Sequence, residues 1–144
     1  MTFRKFDTCT WTDPWFENLS PAEKLAFIYF WTNDHCNSAG IYVISANRIE
    51  NDIGHSVNMV VPPLKPKIEW FPECSVIWVR NFFKHQCQNV SFAIAAMNCV
   101  KKDIFKLRLF MEYNESILSG FEKEDKSSKF NEVLAQCRHH VTTM

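Results

Sequence analysis

Three prolines, Pro62, Pro63 and Pro66, fall inside a stretch whose apolar residues otherwise keep helical spacing, and this conflict limits what the chain can fold into. Val57, Val60, Val61, Leu64 and Ile68 recur at i, i+3, i+4, i+7 and i+11, one face of a helix that Ser56 can cap. An interior proline removes a backbone donor and collides with the preceding turn, at a cost of about 3 kcal/mol or more. The residue before a proline is also biased away from the α region, so Val61 is expected to leave it. The pattern therefore predicts a third helix that stops near Val60, with an extended or kinked segment to Pro66.

The flanking segments carry clearer signals. Trp11 to Leu19 is aromatic and contains Pro14, so it reads as an irregular lid or short turn whose tryptophans belong to the core. Ser20 as N-cap, Pro21 at the first helical position and Glu23 three residues after the cap open a helix over residues 21–33, with Leu25, Ile28, Tyr29 and Trp31 or Thr32 as its apolar face. After a polar turn, Ile41-Tyr42-Val43-Ile44 reads as a short strand. Ser45 then caps a two-turn helix that ends at Ile53, with Gly54 suited to a left-handed C-cap and Ile44 and Ile49 suited to a hydrophobic staple.

Beyond the prolines, residues 68–71 and 75–79 are strand-like and flank Pro72-Glu73-Cys74, which predicts a β-hairpin with a three-residue connection. Residues 81–86 form a compact exit motif. Phe92, Ile94, Ala95, Ala96, Met97 and Val100 suggest a fourth helix, and Ile104, Leu107, Leu109 and Phe110 a fifth, or its continuation to about Tyr113. After Gly120 the run Glu122 to Ser128 reads as a solvated charged linker, and Phe130, Val133, Leu134, Cys137 and Val141 mark a short amphipathic helix. The expected fold is mostly α, of the α+β type: a winged helix-turn-helix with a β-hairpin wing and added C-terminal helices. The expected division is a winged-helix domain with helical extension over 1–118, then linker and helix over 119–144.

Several classes of function lack their signatures. Three glycines, Gly40, Gly54 and Gly120, cannot build a glycine-rich phosphate loop, and no G-x-S-x-G elbow or H-E-x-x-H helix is present. Acid–base pairs such as Asp34-His35 read as polar surface in a turn, so no catalytic residue and no enzyme activity is expected. The six cysteines are widely scattered with no C-x-x-C pair; they are expected to be reduced and mostly core-filling. His35-Cys36, His85-Gln86-Cys87 and Cys137-Arg138-His139-His140 lack the paired spacing of structural zinc sites, so neither a metal nor another cofactor is expected, and the two terminal histidines read as solvated. The N-terminus has no apolar signal core, and no run reaches the roughly 20 apolar residues of a membrane span. A soluble, cytoplasmic protein with no membrane partner is expected.

The residues carry a resemblance. Arg4-Lys5-Phe6-Asp7, Trp11-Thr12-Asp13, Leu19-Ser20-Pro21-Ala22-Glu23-Lys24-Leu25, Ile28 to Asn33, Ala39-Gly40-Ile41-Tyr42 and Val79-Arg80-Asn81-Phe82-Phe83-Lys84-His85-Gln86 together resemble phage and prophage replication proteins with a DnaD-like N-terminal winged helix, over residues 3–113. The resemblance implies DNA binding, oligomerisation and contact with a replicative helicase or its loader. It implies that the third helix faces the major groove through Asn58 and Met59, with Lys65 and Lys67 beyond, while Arg80, Lys84 and His85 touch phosphates. The family's third helix is longer, charged and free of proline; here three prolines interrupt it.

Charge adds Lys101 and Lys102 to the candidates. Sixteen basic and sixteen acidic side chains give zero net charge, which excludes a strongly cationic phosphate binder. By position, residues 1–64 carry a net −3 and residues 65–108 a net +5. The candidate DNA-binding set is therefore Asn58, Lys65, Lys67, Arg80, Lys84, His85, Lys101 and Lys102, with Lys106 and Arg108 in the same basic stretch. The expected function is weak, salt-sensitive DNA binding in replication initiation or its regulation. The alternative is a protein-interaction or oligomerisation module on a winged-helix scaffold that has lost DNA readout.

Overall fold

The computed structural model describes residues 2–124 and 128–143. The protein is mostly helical with a small three-stranded sheet, the α+β class expected. The chain divides into two compact units, one made of Met1–Cys36 and Tyr42–Asn81, the other of Asn37–Ile41 and Phe82–Met144.

The first unit opens with a 3-10 turn, Thr8–Thr12, and helix α1, Pro14–Glu17; Asp7 and Asp13 cap them by accepting from the Cys9 and Trp15 amides. Trp11 is 56% exposed and not in the core as expected, although its ring packs edge-on against buried Phe16 at 5.2 Å. Helix α2, Pro21–Thr32, begins with the reciprocal capping box, Ser20 taking the Glu23 amide and Glu23 the Ser20 amide. Its buried face is Ala26, Phe27, Phe30 and Trp31, while Leu25 is exposed. The expected face was out of phase because residues 25–31 are apolar all round, so spacing alone does not choose a side.

Strand β1, Ile41–Val43, leads to helix α3, Ala46–Ile53, which Ser45 caps and Gly54 closes at φ +76°, as its sequence requires. Helix α4 is a single turn, Val57–Val60, capped by Ser56, and a 3-10 turn, Pro62–Leu64, follows at once. The stop at Val60 is as expected, and of the two continuations expected, extended or kinked, the chain takes a bend through the 3-10 turn; Val61, however, stays in the α region at φ −76°, ψ −43°. Val61 is shared by both turns: its amide donates to the Val57 carbonyl at 3.0 Å and its carbonyl accepts from Leu64 at 2.8 Å. Its buried side chain and these two bonds outweigh the pre-proline bias, and Pro62 stands first in its turn, where a missing donor costs least.

Strands β2, Ile68–Phe71, and β3, Val76–Val79, form an antiparallel hairpin in which Phe71 pairs with Val76, and the sheet order is β1-β3-β2. The connection has four residues, not three, because Ser75 adopts φ +54° and belongs to the turn.

In the second unit, α5, Phe82–Gln86, packs on α7, Ile104–Glu124, while α6, Val90–Val100, α7 and α8, Ser128–Thr143, pack on one another. Met97, Leu107, Phe110, Phe130 and Leu134 are fully buried in it, and the Phe83 and Phe110 rings meet edge-on at 4.9 Å. The fifth helix therefore runs well past Tyr113, and residues 119–124 are helical where a linker was expected. Glu122, Lys123 and Glu124 are good helix formers, and Arg138 holds Glu122 at 2.8 Å. The rest of that expected linker, 125–127, lies outside the described residues. The C-terminal helix has 16 residues, longer than expected.

Two smaller expectations are corrected by burial. Only Cys36 and Cys137 are core residues; Cys9, Cys74 and Cys99 are exposed, and none of the six is bonded to another. His140 is not simply solvated, because its Nδ1 lies 3.1 Å from the Lys101 carbonyl.

Candidate nucleic-acid interface

Helix α4, the proline turn and strand β2 surround a surface cavity of about 210 Å3 in the first unit, lined by Val57, Asn58, Val61, Pro62, Lys65, Trp70 and Pro72. Each wall has a local cause. The Ser56 cap and the single turn of α4 set Asn58 outward, the 3-10 turn brings Pro62 round, and Lys65 follows as that turn's extended C-cap. Trp70 sits in β2 opposite Ile77, and Pro72 begins the hairpin connection.

This cavity brings together two of the eight candidates, Asn58 and Lys65. Both are exposed, and among the described residues neither the Asn58 amide group nor the Lys65 ammonium has a side-chain partner.

Two further candidates in the same unit are held by their own protein. Lys67 Nζ lies 3.7 Å from Asp13 Oδ2 and 4.3 Å above the Trp15 ring. The Arg80 guanidinium is 3.8 Å from Glu69 Oε1 and 4.9 Å above Trp78. A phosphate would have to compete with a carboxylate and an aromatic face at each, so these two cations brace the unit before they offer charge to a ligand.

The second unit carries the other four. Lys84 is in the last turn of α5 with its ammonium 5.3 Å over the Tyr113 ring, and His85 beside it is exposed. Lys101 and Lys102 lie between α6 and α7. Lys101 is half-buried and its carbonyl is engaged by His140, whereas Lys102 is exposed. Asp103 caps α7 by accepting from Phe105 at 3.1 Å and stands 3.8 Å from Lys106, which neutralises part of the basic stretch.

Trp70 was the residue that sequence reasoning missed: inside a strand a tryptophan reads as core, yet it is half-buried and lines the cavity. Period-2 alternation gave no signal for it, because it sets Trp70 on the same face as fully buried Ile68; Trp70 is the last residue but one of β2, close to the connection that begins at Pro72.

A separate polar cluster joins α2 to α3. Tyr29 donates to Asp52 Oδ2 at 2.6 Å, Arg48 donates to Asp52 at 2.9 Å and to Asp34 at 3.1 Å, and His35 lies 3.3 Å from Arg48. The two hydrogen bonds, from Tyr29 first and Arg48 second, hold the Asp52 carboxyl below the ordinary carboxylate range, and burial pushes the Tyr29 hydroxyl well above its own. These side chains pair with Arg48 or Asp52 at the α2–α3 contact, with Asp34 and His35 open to solvent. Among the described residues, no group of three His, Cys, Asp or Glu side chains could hold a metal ion, and no helix is long and apolar enough to cross a membrane.

Comparison with protein-family models, with curated proteins and with solved structures finds no match to this chain.

Proposed function

We propose that this is a non-enzymatic winged-helix DNA-binding protein of the cytoplasm, acting in replication initiation or its regulation as its resemblance to phage and prophage replication proteins suggests. The observation that supports the reading is the order α2-β1-α3-α4-β2-β3 with β1 paired to β3, the order of elements that a helix-turn-helix followed by a hairpin wing would have. Lys65 at the α4–β2 junction, exposed and without a side-chain partner among the described residues, supplies a phosphate contact, and so few available cations make the binding weak and salt-sensitive. No cofactor is required for such contacts.

A second reading, an interaction or oligomerisation module that meets a second copy or a replicative helicase or its loader, is favoured by one specific observation. Lys67 and Arg80 are committed to Asp13 and Glu69, and α4 is a single turn, too short to lie along a major groove.

Titration of a labelled duplex and a labelled single strand at low ionic strength separates the two. DNA binding whose affinity falls steeply with added salt supports the first reading. No binding to either probe, with concentration-dependent self-association in its place, supports the second.

A further inference from the structure

We propose that the cavity between α4 and β2 holds one unpaired nucleotide of single-stranded DNA, its base stacked on Trp70, its edge read by Asn58 and its phosphate met by Lys65. The inference rests on the DNA-binding reading and assigns that activity a substrate class.

Three groups around the cavity are unengaged among the described residues: the Trp70 indole, the Asn58 amide and the Lys65 ammonium. Elsewhere in the same unit, the cations and rings nearest in sequence are already committed, Lys67 to Trp15 and Asp13, Arg80 to Trp78 and Glu69. An aromatic platform, a combined donor–acceptor and a single cation match the face, edge and phosphate of a nucleotide. Val57, Val61 and the two prolines supply the apolar walls against which a planar ring loses water.

Size points the same way. At about 210 Å3 the cavity is smaller than the roughly 300–1,000 Å3 of sites that enclose whole cofactors, so it admits one ring and leaves the sugar and phosphate at the rim, beside Lys65. In duplex DNA the base is stacked and its face is covered, so the cavity selects an unpaired strand. An acidic peptide, with its several carboxylates, would find a single lysine in the lining.

The test is tryptophan fluorescence and anisotropy of the full chain with a short oligothymidylate, of about 4–16 nucleotides, against a duplex of equal length. Quenching by the single strand that is absent in Trp70→Phe, together with binding retained in Trp70→Phe but weakened about tenfold or more in Trp70→Leu, supports stacking on this ring. Asn58→Ala and Lys65→Ala, both at exposed positions, should each weaken the single strand more than the duplex. Circular dichroism of Trp70→Leu checks that the hairpin is intact, and the two exposed-site variants carry the test if it is not. Single-strand binding that all four variants leave unchanged overturns the site while DNA binding by the protein stands. Failure of the wild type to bind either probe at low salt overturns the DNA-binding reading itself. Quenching by an acidic proline-containing peptide but not by the oligonucleotide overturns the nucleotide assignment in favour of a protein partner.

Discussion

The Lys67 ammonium lies 4.3 Å above the Trp15 ring and 3.7 Å from Asp13, so a cation that sequence assigned to DNA instead ties the start of the hairpin to helix α1. Lys67→Ala should therefore cost stability, about 1 kcal/mol from an exposed cation–π contact and a half-exposed ion pair together. Its effect on DNA should be small. Lys65→Ala should show the reverse, an unchanged melting temperature and a salt slope of DNA binding shallower by about one. Thermal denaturation and salt-dependent anisotropy of both variants check this; a shallower slope for Lys67→Ala would return that residue to the interface.

The Tyr29–Asp52 hydrogen bond makes the α2–α3 contact sensitive to pH. Asp52 has a lowered pKa in the folded state, so its contribution is present above the unfolded value of about 4 and is lost as pH falls through the folded one. Tyr29 is shifted the other way, by burial first and by Asp52 next, so its contribution is present below about pH 10 and fades as pH rises beyond that. Urea midpoints should show Asp52→Asn destabilised at neutral pH and converging on the wild type in acid. Tyr29→Phe should lose the alkaline arm. A constant gap between Asp52→Asn and the wild type down to the acid limit would show that the carboxylate is not linked to folding.

Two glycines at positive φ should respond very differently to alanine. A Cβ on Gly40, at φ +73°, would meet the Cβ of Phe82 at 2.5 Å, and Phe82 is fully buried and cannot move aside. Left-handed strain of about 1–2 kcal/mol adds to overpacking of about 1–3 kcal/mol. Gly54, at φ +76°, has nothing within 4 Å of the same atom, so Gly54→Ala should carry the strain alone. Gly54→Asn should recover part of it. Chemical denaturation measures all three, and equal losses for the two alanine variants would contradict the packing argument.

What could be read from sequence was what neighbours in sequence decide. Ser20 with Glu23, Ser45 with Gly54, and Ser56 all mark helix ends through bonds to residues within a few positions, and each is found where expected. The prolines stopped α4 on schedule, but Val61 kept its helical conformation because burial, a tertiary effect, decided it. The inward face of α2 was hidden by a run of apolar residues that fits any phase. In the candidate site, Asn58 and Lys65 entered only through what the resemblance implies, and the structure leaves both exposed at one cavity. The engagement of Lys67 by Asp13 and of Arg80 by Glu69 was not legible, since spacing carries no information on contacts between distant segments or between neighbouring strands. Trp70 was hidden for the opposite reason: its type predicts burial, and only the hairpin's geometry leaves it at a cavity wall.

Arg138 gives a test of how the last helix is held. Its Nε donates to Glu115 at 3.1 Å and its Nη1 to Glu122 at 2.8 Å, with Ser119 Oγ at 3.3 Å, so one guanidinium spans two turns of α7. The side chain is about one-third exposed, which screens the attraction, and Arg138→Ala should cost only about 1 kcal/mol. Geometry should matter more than charge. A lysine offers a single point charge and cannot reach both carboxylates, so Arg138→Lys should recover little of the loss. In salt of about 1 M, where screening reaches about 3 Å, the gap between wild type and both variants should narrow without closing, because the hydrogen bonds to Glu115 and Ser119 are half-buried. Full recovery in Arg138→Lys at low salt would mean that net charge, and not the two-pronged fork, holds α8 in place.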